Sequence, residues 1–406
     1  MNVAYGSVPK DGGTFTFYRN MRNPLSKYGV NLYCVSVGKE QAALWNNDFV
    51  DDNCFLIAPN THNVKSQAKF FVDWCVKMQI NMVIGVNSEA ILCSIPHLPA
   101  HIRILSRCAN AFNHGYNLTL MGNDRLEAIF AISPKLKHDL INKYGANPDL
   151  IHLIPNGISS NPYKEAYKEE RGKSDVLRLG FLGRLEHNQK GIMHIPKILN
   201  ELERSKVSFS LKIAGVGKDR KRLERSLRNR IDNGQVIFLG SIKPQEVPLF
   251  FKNIDIYIFP SHFEGCPNAL IESMISGCVP FSWNIKGITD FIIKNNRTGF
   301  IHDLGDYKGM SKNIKFLDQN RSILNQFSKN SSKDAKKRFD PDKTAREYSK
   351  VLKYVDAKEF LKIKPLPWKK FKIDENFERK WDSIISRSLR YNIKLFYSYI
   401  NKTINH

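Results

Sequence analysis

The sequence predicts an α/β protein built from two doubly wound parallel sheets. Three observations lead there. The chain has 406 residues, too many for one ordinary core. Short apolar runs alternate with stretches of helical period, the pattern of parallel strands joined by crossover helices. A polar, charged stretch over 159–175 lacks any apolar period, and the alternation restarts after it. The chain is therefore read as a first domain over 1–165, a second over 175–345, and C-terminal helices with a basic tail over 346–406 that are expected to pack back on the first domain.

In the first half, Val3-Ala4-Tyr5 begins a strand that runs into Gly12-Gly13 and a helix over 14–27. A Gly-Gly loop at that place lets backbone approach a ligand closely, although glycine pairs more often mark simple turns. Residues 31–37 form an apolar strand ended by Gly38, and 54–58 form another apolar run. Over 67–77, Phe70, Phe71, Trp74 and Cys75 recur on one side of a helix. Strands follow at 81–86 and 128–132. The latter ends at Ser133-Pro134, with Pro134 near the first turn of a helix over 135–144. A strand over 151–154 stops at Pro155-Asn156-Gly157.

In the second half, strands are expected at 177–182, 209–214, 236–239, 256–259, 279–282 and 300–301, with helices at 191–204, 219–231 and 245–252. Asp340-Pro341-Asp342 is the chain's single Asp-x-Asp. It could bind a metal, but two acids capping a helix over 344–354 fit better. A helix over 376–401 mixes Trp381, Ile385, Leu389 and Phe396 with Arg387, Arg390 and Lys394. Such mixing suits an anionic lipid surface, and it suits a helix docked on the protein core equally well.

Composition narrows the class. The formal charge of +23 and a pI near 9.6 point to an acidic partner: nucleotide phosphates, nucleic acid or an anionic membrane surface. A basic bias of the whole proteome would give the same figure. The seven cysteines contain no Cys-x-x-Cys and lie mostly in apolar runs, so buried thiols are expected rather than a disulfide frame or a zinc site. No basic-then-apolar leader opens the chain, and no uncharged apolar run reaches the length of a spanning helix. The expected location is cytoplasmic, compatible with a peripheral site on the inner face of the membrane.

Chemistry concentrates at strand ends. Gly183-Arg184-Leu185-Glu186-His187-Asn188-Gln189-Lys190-Gly191 follows the first strand of the second half. Open parallel sheets bind ligands at the carboxyl ends of their strands. There Arg184 can fork two phosphate oxygens and Lys190 can supply a point charge. Ala214-Gly215-Val216-Gly217 and Leu239-Gly240-Ser241-Ile242 end the next two strands, offering close backbone approach. The fourth strand ends in Phe259-Pro260-Ser261-His262-Phe263-Glu264, then a helix over 268–276 with Asn268 as its expected N-cap. The N–H groups of Ala269, Leu270 and Ile271 behind that cap suit a phosphate. Glu264 and Glu272 bracket the loop and can accept bonds from sugar hydroxyls; in isolation they would pass for two solvated glutamates. Four convergent loops raise the nucleotide reading above surface charge.

These motifs, together with Ile132-Ser133-Pro134-Lys135-Leu136, Ile154-Pro155-Asn156-Gly157-Ile158 and Asn296-Arg297-Thr298-Gly299-Phe300, resemble glycosyltransferase family 4, the GT-B enzymes of the glycogen-synthase-like superfamily. The resemblance runs from Gly12-Gly13 to about Gly299, is strong from Ser133 and is vague over 39–101. Its most specific piece is Glu264 to Glu272, seven residues between. The resemblance implies two Rossmann-like domains facing a central cleft and retaining transfer of a sugar from a UDP- or GDP-sugar. The acceptor would be a glycan or lipid-linked hydroxyl, in surface polysaccharide or glycolipid synthesis. It implies no cofactor and no essential bound metal, the sugar nucleotide being substrate.

Carried onto this chain, the family's pattern implies that Arg184 and Lys190 hold the diphosphate. Glu264 lies at the donor sugar and Glu272 at the ribose. Gly215, Asn268, Ala269 and Leu270 meet the donor or its phosphates, Ile242 flanks the base, and Gly13 closes on the donor from the first domain. His114, in Asn113-His114-Gly115, falls where relatives place a histidine near the sugar, and a merely structural histidine is as good a reading. The catalytic set is thus Glu264, His114, Arg184 and Lys190. His187 and His262 neighbour the motifs and need no catalytic role. Two departures stand out: the loop before Lys190 is one residue longer than the common form, and Lys286-Gly287-Ile288-Thr289-Asp290 replaces the usual Gly-Gly with a following Glu. The alternatives are another GT-B reaction, such as sugar-nucleotide epimerisation or phosphorolysis, and a basic nucleic-acid-binding protein. For the last the sequence has no RNA-recognition, helix-turn-helix or zinc signature.

Overall fold

Parallel strands buried on both faces read as continuous apolar runs, and Met82–Gly85 and Ile256–Phe259 are buried at every position. The computed structural model describes residues 1–10, 12–165 and 175–377. The expected helix over 376–401 therefore lies outside the described residues except at its first two positions. The chain divides into two units. One comprises Met1–Ala131, Leu140–His152 and the chain from Ala345; the other comprises Ile132–Asp139 and Leu153–Thr344.

The first unit holds a seven-stranded sheet: β1 (Asn2–Gly6), β2 (Asn31–Val37), β3 (Cys54–Ile57), β4 (Met82–Gly85), β5 (Arg103–Cys108), β6 (Leu126–Ala131) and β7 (Ile151–Leu153), in the order β3-β2-β1-β4-β5-β6-β7. Its described pairings are parallel, Tyr5 facing Cys34 on one side and Ile84 on the other. Helix Val64–Lys77 starts at Asn63, whose side chain accepts from the Ser66 N–H at 2.9 Å.

Strand β5 was not expected, because Arg103 and Arg107 interrupt its apolar run. Both are buried. Arg103 donates to Glu127 at 2.9 Å and to the Glu359 carbonyl at 3.0 Å, and lies over the Phe360 ring. Arg107 lies over Phe17, 4.1 Å from its centroid. Those partners make burial of a guanidinium tolerable. In the same unit the basic-aromatic tail is anchored by Trp368, stacked on His97 at 4.4 Å, and by the Leu366 carbonyl, 2.7 Å from the His97 Nδ1.

The second unit holds six parallel strands: β8 (Leu177–Leu182), β9 (Phe209–Ala214), β10 (Val236–Gly240), β11 (Ile256–Phe259), β12 (Val279–Trp283) and β13 (Phe300–His302), ordered β10-β9-β8-β11-β12-β13. Leu179, Phe181, Ile213, Ile258 and Phe281 lie at the centre of its core. Two expected helices are altered. The basic stretch breaks at Leu227 into Arg220–Ser226 and Arg228–Asp232. The helix expected from Gly191 begins as a 3-10 turn, Ile192–His194, and becomes α-helical at Ile195–Arg204, with Pro196 in its first turn.

Helix Arg321–Arg338 was not expected. It buries serines: Ser331 and Ser332 donate to the Cys278 and Ile275 carbonyls at 3.1 and 2.8 Å. Asp340 caps helix Pro341–Asp356, its Oδ1 accepting from the Lys343 N–H at 2.8 Å. No disulfide joins the seven cysteines. Among the described residues no helix is long and apolar enough to cross a membrane.

Candidate functional site

In the second sheet the chain runs outward one way through β8, β9 and β10 and the other way through β11, β12 and β13. The order reverses between β8 and β11, and that is where a doubly wound sheet leaves a crevice at its carboxyl edge. The loops leaving these two strands carry the residues singled out above. After β8 the chain makes the short helix His187–Lys190 and turns at Gly191, whose φ is 60°. A side chain at Gly191 would collide with the Pro260 carbonyl oxygen, so only glycine lets this loop lie against the one after β11.

Across that seam Lys190 Nζ meets Glu264 Oε1 at 2.6 Å. The lysine side chain is 19% exposed and the glutamate 7%. Two residues expected at different parts of one ligand are therefore ion-paired and neutralise each other at the crevice. Arg184 is elsewhere directed: its guanidinium, 64% exposed, pairs with Glu186 at 3.3 Å, and Glu186 also pairs with Lys218 at 3.0 Å. Those two cations hold the Glu186 carboxyl below its usual range, the hydrogen bond from Lys218 being the largest cause.

The Gly-Val-Gly segment after β9 has a local reason. Gly215 has φ 138°, and a Cβ there would strike the Gly183 carbonyl; a Cβ on Gly217 would strike that of Leu185. The Leu185 N–H donates to the Val216 carbonyl at 2.9 Å. What these glycines visibly admit is the backbone of the Arg184 loop. Ile242, past the end of β10, is half-buried.

Helix Asn268–Ile275 begins at the expected residue, but Asn268 is not its cap. Its N-cap is Pro267, which has no side chain to offer, and Asn268 occupies the first helical position. The Asn268 Oδ1 instead accepts from Asn156 Nδ2 at 2.8 Å. Asn156 also donates to the Cys266 carbonyl at 3.4 Å, so it secures the turn into the helix. The N-cap residue thus offers no side-chain bond to the first-turn N–H groups, among them those of Ala269 and Leu270. Glu272 is half-buried one turn on. Tyr257 donates to the Leu182 carbonyl at 2.9 Å, and its hydroxyl pKa is raised by burial first and then by the charges of Glu264 and Glu272.

The departure at 286–290 is structural. Gly287 has φ 75°, and its carbonyl accepts from the Lys135 N–H at 3.2 Å. Thr289 donates to the Trp283 carbonyl at 2.8 Å and accepts from the Ile285 N–H at 2.7 Å.

Gly13 and His114 belong to the first unit. Gly13 opens helix Gly13–Ser26 behind Gly12, whose φ of 145° requires glycine, and a Cβ on Gly13 would meet open space. Gly6, Ser7, Lys10, Gly12, Asn87 and Ser88 line a cavity of about 200 Å³ there, at that sheet's own reversal between β1 and β4. His114 is exposed near the start of helix Asn113–Leu120, edge-on to Phe377 at 6.3 Å.

Sequence reasoning missed His194 and Tyr307. His187, His194 and His262 form a cluster with ring centroids 5.0–5.4 Å apart, and His194 reaches the Tyr307 hydroxyl at 2.7 Å. No spacing motif links four residues that distant in the chain. Only the proximity of His187 and His262 to Lys190 and Glu264 hinted at them.

Comparison with known proteins follows this geometry. Residues 164–334 match the family described as Glycosyl transferases group 1. The chain is 26% identical over 227 residues to the capsular polysaccharide biosynthesis glycosyltransferase CapM of Staphylococcus aureus, covering 52% of this chain and 57% of that one. It thus spans a little over half the length of that relative. It is 22% identical over 316 residues to an uncharacterized glycosyltransferase of Methanocaldococcus jannaschii, covering 72% and 80%. Anabaena HepE, solved in complex with UDP-glucose, superposes with a TM-score of 0.69 at 14% identity, covering 87% of this chain and all of that one. The structural likeness establishes the two-sheet fold.

Proposed function

The chain belongs to the group 1 glycosyl transferases, and from that premise we propose that it moves a sugar, with retention, from a nucleoside-diphosphate sugar to an acceptor hydroxyl. The observation that carries this reading is the 2.6 Å Lys190–Glu264 pair at the strand-order reversal, inside the matched residues 164–334. A diphosphate arriving beside the pair gives the ammonium a second, more highly charged partner. It thereby leaves the carboxylate able to accept bonds from sugar hydroxyls. Arg184, exposed one loop turn away, swings from Glu186 to the same phosphates. Glu272 takes the ribose hydroxyls, and the uncapped N–H groups at Asn268, Ala269 and Leu270 add partial positive charge. Gly215 and Ile242 complete the nucleotide's surroundings.

The acceptor hydroxyl attacks the anomeric carbon on the face the diphosphate leaves. The sugar–phosphate bond breaks, a diphosphate oxygen takes the hydroxyl proton, and configuration is kept. The protein's share is orientation and stabilisation of the leaving charge. His114 hydrogen-bonds a donor-sugar hydroxyl. A UDP-sugar is the first donor to test, since HepE was solved with UDP-glucose. The acceptor is a glycan or lipid-linked glycan of a surface polysaccharide, the setting of CapM.

Donor consumption by the full chain tests the assignment. Lys190→Ala is expected to lower turnover about 10²–10³-fold, the loss typical of one leaving-charge donor. Arg184→Ala, removing a more exposed cation, should cost about tenfold, and His114→Ala, removing one hydrogen bond, about as much with nucleotide binding unchanged. Full activity in both Lys190→Ala and Arg184→Ala would sink the reading. Product NMR should show a new glycosidic bond of retained configuration; an epimerised or phosphorolysed sugar would replace transfer with another reaction.

A further inference from the structure

The two loops that carry Lys190 and Glu264 are tied together by a residue that the reaction above does not use. His262 lies two residues before Glu264. Its backbone N–H donates to the Gln189 carbonyl at 2.8 Å, and its Nδ1 lies 3.0 Å from the Asn188 carbonyl. Both carbonyls belong to the short helix that ends on Lys190.

Hydrogen positions along this chain of contacts follow from one fact: a carbonyl oxygen can only accept. The Nδ1 of His262 must therefore carry a hydrogen. In a neutral imidazole the other nitrogen then accepts. That Nε2 lies 2.7 Å from Nε2 of His194, so His194 must donate there. The Nδ1 of His194 is left as acceptor, and the Tyr307 hydroxyl, 2.7 Å away, donates to it. With both rings neutral, one proton order satisfies every contact, running from Tyr307 to His194 to His262 to Asn188. Burial first, then the neighbouring His262, His187 and Lys197, lowers the His194 pKa to about 4, so this ring is neutral near pH 7.

We propose that His262 is a positioning residue, fixed as its Nδ1–H tautomer by His194 and Tyr307, which sets the separation of Lys190 from Glu264 by holding the helix His187–Lys190 against the loop after β11. The proposal rests on the reading that Lys190 and Glu264 serve one donor. Displacement of a positioned group by about an ångström can cost two orders of magnitude in rate, so a clamp between the two loops bears on turnover without touching substrate.

Three substitutions separate the clamp from simple loss of packing. His262→Asn keeps an N–H donor near the Nδ1 position for the Asn188 carbonyl. His262→Gln places its carboxamide, whose oxygen can accept from His194, near the Nε2 position and leaves no donor near the Nδ1 position, and His262→Phe keeps neither. In the full chain, turnover should fall about tenfold or more in the Gln and Phe variants and within about threefold in the Asn variant, with KM for the donor little changed. Ring ¹⁵N spectra of the wild type, which need no activity, should show His262 protonated on Nδ1 and His194 on Nε2. His262 protonated on Nε2, or equal turnover in the Asn and Phe variants, would overturn the proposal. If the wild type consumes no sugar nucleotide, the functional reading fails instead. The ring spectra and the melting order, Asn above Gln and Phe, then still decide whether His262 joins the loops.

Discussion

At the scale of the residue, the histidine cluster makes the second unit's stability depend on pH. His194 has a folded pKa of about 4, below the ordinary 6.5, and that of His187 is also lowered, by burial first and then by His262 and Arg222, with Asp219 opposing. Between these values the unfolded chain binds a proton at His194 that the folded chain refuses, so stability rises with pH there. The contribution is fully present above about pH 6.5 and is lost as pH falls toward 4. Denaturation midpoints measured from pH 7.5 to 4.5 should fall in the wild type. The fall should be shallower in His194→Gln, even though that variant starts lower. An identical slope in both proteins would mean that His194 takes up its proton without opening the cluster.

At the scale of the element, the same residue type is required for different reasons, and substitution tells them apart. Gly215 combines a φ of 138° with a neighbour that a Cβ would strike, whereas Gly240 has φ 70° and open space beside it. Gly215→Ala should therefore destabilise by about 2–3 kcal/mol and displace the Arg184 loop, while Gly240→Ala pays only the backbone term of about 1 kcal/mol. Chemical denaturation of the two variants gives the comparison, and equal losses would show that the Gly183 contact yields easily.

The same elements show how far the sequence could be read. Strands such as Leu177–Leu182 and Ile256–Phe259 were legible because they are buried on both faces and hence apolar throughout. Strand Arg103–Cys108 was not, because its two arginines find their partners at Glu127, Glu359 and Phe17, far away in sequence. Helix Arg321–Arg338 was not, because serine hydroxyls bonded to carbonyls replace the apolar stripe that periodicity looks for. Among the candidate site residues, the motifs singled out Lys190, Glu264 and Glu272 by position. Spacing could not announce that Lys190 and Glu264 pair, that Asn268 is held by Asn156 rather than capping its helix, or that His194 joins the loops, since each contact closes a gap of at least 68 residues.

At the scale of the molecule, both sheets reverse strand order and each leaves loops at its reversal, but the two ends differ in charge. The second presents the Lys190–Glu264 pair at its seam, with Arg184 exposed on the same loop as Lys190. The first presents Ser7, Lys10, Asn87 and Ser88 around a small cavity. A nucleoside diphosphate should therefore bind to and stabilise the second unit preferentially. At a hundredfold excess over Kd, mass action adds about 2.7 kcal/mol to any opening that destroys the site. Hydrogen exchange of the full chain with and without UDP reads this amide by amide. Exchange should slow most over 183–191 and 260–272, by about a hundredfold where it requires opening of that site, while β1 to β4 change far less. Equal slowing in both sheets would mean that the nucleotide does not single out the second. Slowing confined to β1 and its following loop would place the phosphates at Gly12 and remove Lys190 and Glu264 from the site.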